Sequence, residues 1–198
     1  MSTIPQQLER HIATLDEGEV IQAKGLLHLG ERAAIDQALS RFARKGRLHR
    51  LARGKYVPPI ETRFGRRPPM VHKVIDGLSK WSSEPIVPSG GAAANALGLT
   101  TQVPVRPVYL SSGSNQTLHF GNLNVELQHA PPWQLSAPGR KAGDVIRALA
   151  WLGPHAAVDN VERLRQQLTA EEREELLGLR ALMPSWLAEA LSALADDL

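Results

Sequence analysis

The chain has 198 residues, 42% of them hydrophobic and 22% charged, which is ordinary for a globular protein and enough for a small domain joined to a medium one. It contains no cysteine, which excludes disulfides and thiolate metal sites and suits a reducing cytoplasm. With no run of about 18 apolar residues and no basic-then-apolar leader, neither a membrane span nor export is expected. The net charge of +3 is uneven: residues 1–75 carry 14 Lys or Arg against 7 Asp or Glu, residues 76–139 carry 2 against 3, and residues 140–198 carry 7 against 10. Basic charge is thus concentrated at the N-terminal end, where it can act as one patch on a polyanion.

In chain order, Pro5 to Thr14 reads as a first helix with Leu8 and Ile12 on one face, and Val20 to Leu27 as a shorter second one. Gly30 supplies a turn, and a third helix, Arg32 to Lys45, ends at Gly46 in the C′ position. Leu48 to Leu51 and Lys55 to Val57 read as short strands joined through Arg53-Gly54. Helix, helix, turn, helix and hairpin is the order of a winged helix-turn-helix. Paired prolines at Pro58-Pro59 and Pro68-Pro69 interrupt regular structure, and a domain boundary is expected between them, near residue 66.

Beyond that point Val71, Val74, Ile75, Leu78 and Trp81 fall at helical spacing, so Met70 to Trp81 is a helix. Pro85 to Pro88 is a short strand, and Ser89-Gly90-Gly91 turns into a small-residue helix, Ala92 to Leu97, stopped by Gly98. Pro107 to Leu110, Thr117 to Phe120 and Leu123 to Gln128 are strands, and Ala142 to Leu152 and Val158 to Leu168 are helices. Thr169 to Glu172 forms a capping box for another helix, and Ser185 to Ala195 follows the break at Pro184. The expected fold class is α+β: a winged helix-turn-helix over residues 1–66, then a larger α+β domain, residues 67–198, with about four short strands and a helical C-terminal tail.

On the third helix Ile35, Leu39 and Phe42 mark a buried face by their i, i+4, i+7 spacing. The opposite face carries Ala33, Gln37, Ser40 and Arg44, with Arg41 at its edge. Those types suit a major-groove reader: Arg grips guanine bidentately, Gln pairs with adenine, and Ala or Ser leaves room for close approach. From Arg41 to Arg67 there are ten Lys or Arg, and Glu61 is the only acid. In the hairpin, Leu48 and Leu51 pack inward while Arg50, Arg53 and Lys55 project toward phosphates or a minor groove; Tyr56 fits core packing or a backbone contact to DNA. The candidate DNA-binding set is Arg32, Ala33, Gln37, Ser40, Arg41, Arg44, Lys45, Arg47, Arg50, Arg53 and Lys55. A solvated basic face that binds RNA or an acidic protein partner is the alternative.

Two blocks carry a family likeness. Leu39-Ser40-Arg41-Phe42-Ala43-Arg44-Lys45-Gly46-Arg47-Leu48, followed by Leu51-Ala52-Arg53-Gly54-Lys55-Tyr56-Val57-Pro58, resembles the N-terminal winged helix of AbiEi-type antitoxins of type IV toxin–antitoxin systems. The run from Pro88-Ser89-Gly90-Gly91 through Asn95-Ala96-Leu97-Gly98-Leu99-Thr100-Thr101-Gln102-Val103-Pro104 resembles the start of the C-terminal region in bacterial AbiEi-like proteins. Val108-Tyr109-Leu110-Ser111-Ser112-Gly113 and the Val145-Ile146-Arg147-Ala148-Leu149 helix continue it, over most of residues 20–153. The resemblance implies a bacterial repressor that binds inverted repeats in its own promoter, as a homodimer if the protein pairs on them. It also implies opposition to a nucleotidyltransferase-like toxin without a stable complex.

No catalytic constellation stands out. Ser89-Gly90-Gly91 lacks the Lys-Ser/Thr of a phosphate-binding loop and fits a tight strand-to-helix turn better than an anion site. None of the seven histidines stands in a metal-binding spacing, although His119 and His129 fall on strands that can pair. Glu171, Glu172, Glu174 and Glu175 open a helix and fit compensation of its dipole. Trp133, Trp151 and Trp186 are expected in the core, with Leu176, Leu177, Leu182 and Trp186 alternatively forming a dimer surface. No enzyme activity, cofactor or metal is expected. The competing expectation is a winged-helix targeting module fused to a ligand-sensing or enzymatic domain; Mg²⁺-dependent chemistry would need clustered acids, and residues 76–139 offer only the widely spaced Asp76, Glu84 and Glu126, which argues against it.

Overall fold

The computed structural model describes residues 3–102 and 104–194 and shows a mixed α+β protein with small sheets and a helical C-terminal region. The chain divides into two compact units, the first formed by residues up to Glu84 together with Thr117–Val125, the second by Pro85–Gln116 and the residues from Glu126 onward.

In the first unit, the Thr3 backbone N–H donates to Gln6 Oε1 (3.0 Å) at the start of α1, Ile4–Ile12, which buries Leu8. The expected helix from Val20 to Leu27 does not form. Ile21 is instead extended, exchanging two backbone hydrogen bonds with Tyr56 (2.7 and 3.0 Å), and a 3-10 helix follows at Ala23–Leu29. The β-branched pair Val20-Ile21 favours that extended backbone, and Gly25 weakens an α-helix through its centre. Helix α2, Arg32–Arg44, starts where expected, ends one residue before the expected Lys45, and buries Ile35, Ala38, Leu39 and Phe42. It ends in a Schellman motif: Gly46 (φ +68°) donates to the Ala43 carbonyl at 3.0 Å and Arg47 to the Phe42 carbonyl at 2.9 Å.

Strands β1, His49–Ala52, and β2, Lys55–Val57, then form an antiparallel hairpin. A bulge between Arg50 and Ala52 turns Leu51 inward, where it is fully buried. Leu8, Leu26, Ile35, Leu39, Phe42 and Tyr56 share one core, so Tyr56 takes the packing role.

The proline-rich segment is not a plain linker. It holds a second antiparallel hairpin, β3, Ile60–Thr62, with β4, Gly65–Arg67, and the first unit runs on through α3, Val71–Ser82, past the break expected near residue 66. Glycines tie α3 in place. A Cβ on Gly77 would collide with the Gly18 carbonyl oxygen, and the Met70 N–H donates to Glu17 Oε1 at 3.1 Å.

The second unit begins with β5, Ile86–Pro88, and α4, Gly90–Ala96. Three strands follow in the chain, β6, Val108–Ser111, β7, Gln116–Phe120, and β8, Leu123–His129, with the sheet order β5-β6-β8-β7; Thr117–Val125, which holds most of β7 and the start of β8, counts with the first unit. β5 pairs antiparallel with β6, and β6 pairs parallel with β8, Val108 opposite Glu126 through Ser111 opposite His129. A 3-10 turn at Pro132–Leu135 leads to α5, Lys141–Gln167. The separate helices expected at Ala142 to Leu152 and Val158 to Leu168 are the two limbs of α5, bent at Gly153 (φ +81°, ψ 171°). Pro154 favours extended backbone at the preceding residue and lacks a donor of its own, so the helix restarts there.

Helix α6, Ala170–Leu179, opens on the expected capping box: the Thr169 N–H donates to Glu172 Oε2 (2.9 Å) and the Glu172 N–H to Thr169 Oγ1 (3.2 Å). Helix α7, Ser185–Ala193, closes the described chain, and the expected extension to Ala195 lies outside the described residues. Val145, Ile146, Leu149, Leu164, Leu176, Leu187 and Leu191 form the helical core, with Trp133 and Trp186 packed against its margin. Trp151 is not a core residue: 47% of its surface is exposed, as is most of Leu182.

Candidate nucleic-acid interface

The apolar stripe of α2 determines what its other side shows. With Ile35, Ala38, Leu39 and Phe42 buried, Arg32, Ala33, Gln37, Arg41 and Arg44 are exposed, as is Lys45 at the C-terminal end, while Ser40 is half-buried. Arg32 lies 3.8 Å from Asp36 one turn on, an exposed pair of little energetic weight that leaves the guanidinium available for exchange. Arg47 belongs elsewhere. It forms an ion pair with Glu9 on α1, and its guanidinium sits 5.6 Å from the centre of the Phe42 ring, so part of its charge is already committed.

The β1–β2 hairpin presents Arg50 and Arg53 in the open, with Gly54 (φ +72°) making the turn between the strands. Arg50 Nε–H donates to the Ala52 carbonyl at 3.4 Å, a long contact that orients the side chain without burying it. Lys55 is half-buried, and burial holds its ammonium pKa below the ordinary lysine range. His49 is occupied by structure: its Nε2 lies 2.9 Å from the His119 carbonyl oxygen and 3.3 Å from the Gly121 backbone nitrogen.

Four residues of the basic surface were hidden by reading the proline-flanked stretch as a boundary. Arg63, Phe64, Arg66 and Arg67 all lie exposed on the β3–β4 hairpin. The signal for it was present in Ile60-Glu61-Thr62 and Gly65-Arg66-Arg67, two strand-length runs around a turn, and the adjoining prolines masked it.

In the second unit the Ser89-Gly90-Gly91 turn is a packing device. Both glycines are buried, and a Cβ on Gly90 would collide with the Arg147 carbonyl oxygen on α5. The two strand histidines have separate partners: in the first unit His119 Nδ1 lies 2.9 Å from Asn124 Oδ1, and in the second His129 Nδ1 lies 3.0 Å from the Ser112 carbonyl. Among the described residues no three His, Asp or Glu side chains are grouped to hold a metal ion. No helix among them is long and apolar enough to cross a membrane.

A two-unit α+β chain with an exposed basic helix and two basic hairpins in its first unit is thus the class defined by the fold. The chain belongs to a family of unknown function, DUF6088, whose model matches residues 7–177, across both units. No curated protein matches it.

Proposed function

We propose that the first unit is a winged helix-turn-helix and that the protein is a sequence-specific DNA-binding regulator. The observation that carries this reading is the face of α2: five exposed residues of base-reading or phosphate-binding type, Arg32, Ala33, Gln37, Arg41 and Arg44, on a helix anchored by four buried ones. The Ile21–Tyr56 bridge supports it by adding a third extended segment to the β1–β2 sheet, the base on which a wing stands. The wing is the Arg50–Lys55 hairpin. Its arginines supply phosphate or minor-groove contacts, while α2 supplies sequence readout.

The resemblance to AbiEi-type antitoxins extends the proposal to autoregulation. The protein represses a toxin operon through inverted repeats and counters a nucleotidyltransferase-like toxin without a stable complex. A gel-shift series with Arg44→Ala and Arg53→Ala tests the interface. Both variants should weaken binding to a selected duplex at moderate salt, with far-ultraviolet dichroism unchanged. Unaltered affinity in both would remove this face from DNA recognition. Co-expression with the adjoining toxin-like gene tests the antitoxin role, which fails if growth is not restored.

One observation favours a second reading for the second unit. A cavity of about 340 Å³ is lined by Ser89, Gly91, Gln102, Val108, Gln128 and Trp151. It places neutral hydrogen-bonding groups beside a half-exposed indole, as a sensor of a small neutral molecule would require. Quenching of tryptophan emission in the wild type, absent in Trp151→Phe, is the expected signature.

A further inference from the structure

The second hairpin carries a side chain that folding does not use. Phe64 is 86% exposed, at the two-residue tip between Thr62 and Gly65. The tip is pinned rather than loose. Thr62 Oγ1–H donates to the Gly65 carbonyl (2.8 Å), and the same oxygen accepts the Phe64 N–H (3.2 Å). Across the strands Glu61 accepts a hydrogen bond from Arg66 Nε at 2.7 Å, and Arg66 also donates to the Gly46 carbonyl at 3.4 Å. The ribbon is thereby tied to the C-terminal end of α2 and holds the ring out in solvent.

The surroundings of the ring identify its occupant. The Arg63 guanidinium lies 4.7 Å from the ring centre, and Arg66 and Arg67 follow on β4, with Glu61 the hairpin's only acid. A lone aromatic at the end of a narrow, cationic ribbon complements a polyanion that also offers flat apolar faces to stack on. An apolar protein groove would satisfy the ring but offer no anion to the exposed guanidinium groups of Arg63 and Arg67. We infer that the β3–β4 hairpin is a second contact to duplex DNA, with Phe64 entering the minor groove as a wedge between base steps and Arg63 and Arg67 on the flanking phosphates. This inference rests on the reading of α2 and the β1–β2 hairpin as a DNA-binding surface. It adds what that reading lacks, a device that distorts the duplex.

The test uses the full chain and a duplex that the wild-type protein selects from a random pool, with 2-aminopurine placed at successive steps. Wild type should raise the fluorescence at one step, the mark of local unstacking. Phe64→Ala should abolish that rise and weaken binding by about tenfold, the scale of one lost aromatic–base stack. Phe64→Leu should retain much of both, because a wedge needs bulk more than aromaticity. Thermal melting should be the same for all three chains, since the side chain is 86% exposed and buries little surface on folding. If wild type selects no duplex, the DNA-binding reading itself fails and the wedge fails with it. If wild type binds and Phe64→Ala matches it in affinity and fluorescence, the wedge is overturned while the α2 reading stands. Loss of self-association in sedimentation by Phe64→Ala, with DNA distortion intact, would overturn it in favour of a contact between copies.

Discussion

Arg147 is a charged side chain in a place that ordinarily refuses charge. It is 1% exposed on α5, and its guanidinium is held by Asp144 at 2.7 Å and by the carbonyls of Gln134 (3.3 Å) and Ser136 (3.4 Å). Such a group is stable only while its partners remain, because desolvation of an uncompensated guanidinium is costly. Asp144→Ala should therefore destabilise the protein by roughly 3 kcal/mol in urea denaturation, more than Arg147→Met, which removes the charge along with its need for a partner. Glu172 presents the opposite case near the surface. The Thr169 backbone N–H, aided by Lys141, holds its carboxyl below the usual glutamate range. Its contribution is complete above the unfolded-state pKa, about 4.3, and is lost as the pH falls through the lower folded value. Thr169→Ala, which removes the hydroxyl cap but keeps that N–H, should cost about 1 kcal/mol at neutral pH, whereas Glu172→Gln, which removes the titrating carboxyl, should show a shallower decline of stability in acid than wild type.

At the level of elements, two glycines predict opposite outcomes for the same substitution. A methyl group on Gly77 meets the backbone of Gly18 where α3 crosses the preceding loop, so Gly77→Ala should destabilise by about 1–3 kcal/mol as overpacking does. Gly178 lies inside α6 with nothing within 4 Å of an added Cβ, so Gly178→Ala should stabilise by about 0.5–1 kcal/mol. Thermal denaturation of the two variants separates these signs. Local chemistry also explains which elements were readable. Helix α2 has an unbroken apolar period and a glycine cap, and α6 has its capping box, so each was legible from a few residues. Ile21 was not, because its extended conformation is set by Tyr56, thirty-five positions away. The β3–β4 hairpin was obscured for a different reason. Its prolines flank the strands without entering them, and a composition reading does not separate those two arrangements. Of the candidate site, the α2 face was legible from helical period alone, whereas the engagement of Arg47 by Glu9 depends on where α1 packs.

For the molecule as a whole, the segregated charge sets how the proposed DNA binding should respond to salt. The basic excess falls within the first 75 residues and the later segments are slightly acidic, so binding should be dominated by the first unit. Plotted as log affinity against log salt concentration, the slope should fall in magnitude by about 0.9 for each phosphate contact removed. Arg53→Ala should show that change on any duplex. Gln37→Ala should instead narrow the gap between the selected duplex and a random one while leaving the slope alone. Identical slopes for wild type and Arg53→Ala would assign the wing arginine no phosphate.

The bend at Gly153 makes α5 two helices in a thermodynamic sense as well. Its first limb buries Ala142, Gly143 and the run from Val145 to Leu149, whereas the second buries only Ala157 and Leu164. Amide protons of the first limb should therefore exchange with solvent only when the whole unit opens. Those beyond Pro154 need only a local excursion of one limb, because Gly153 leaves helical geometry and Pro154 has no N–H to donate back across the bend. One continuous stretch of helix should thus report two opening energies, with the step between them falling at a single residue.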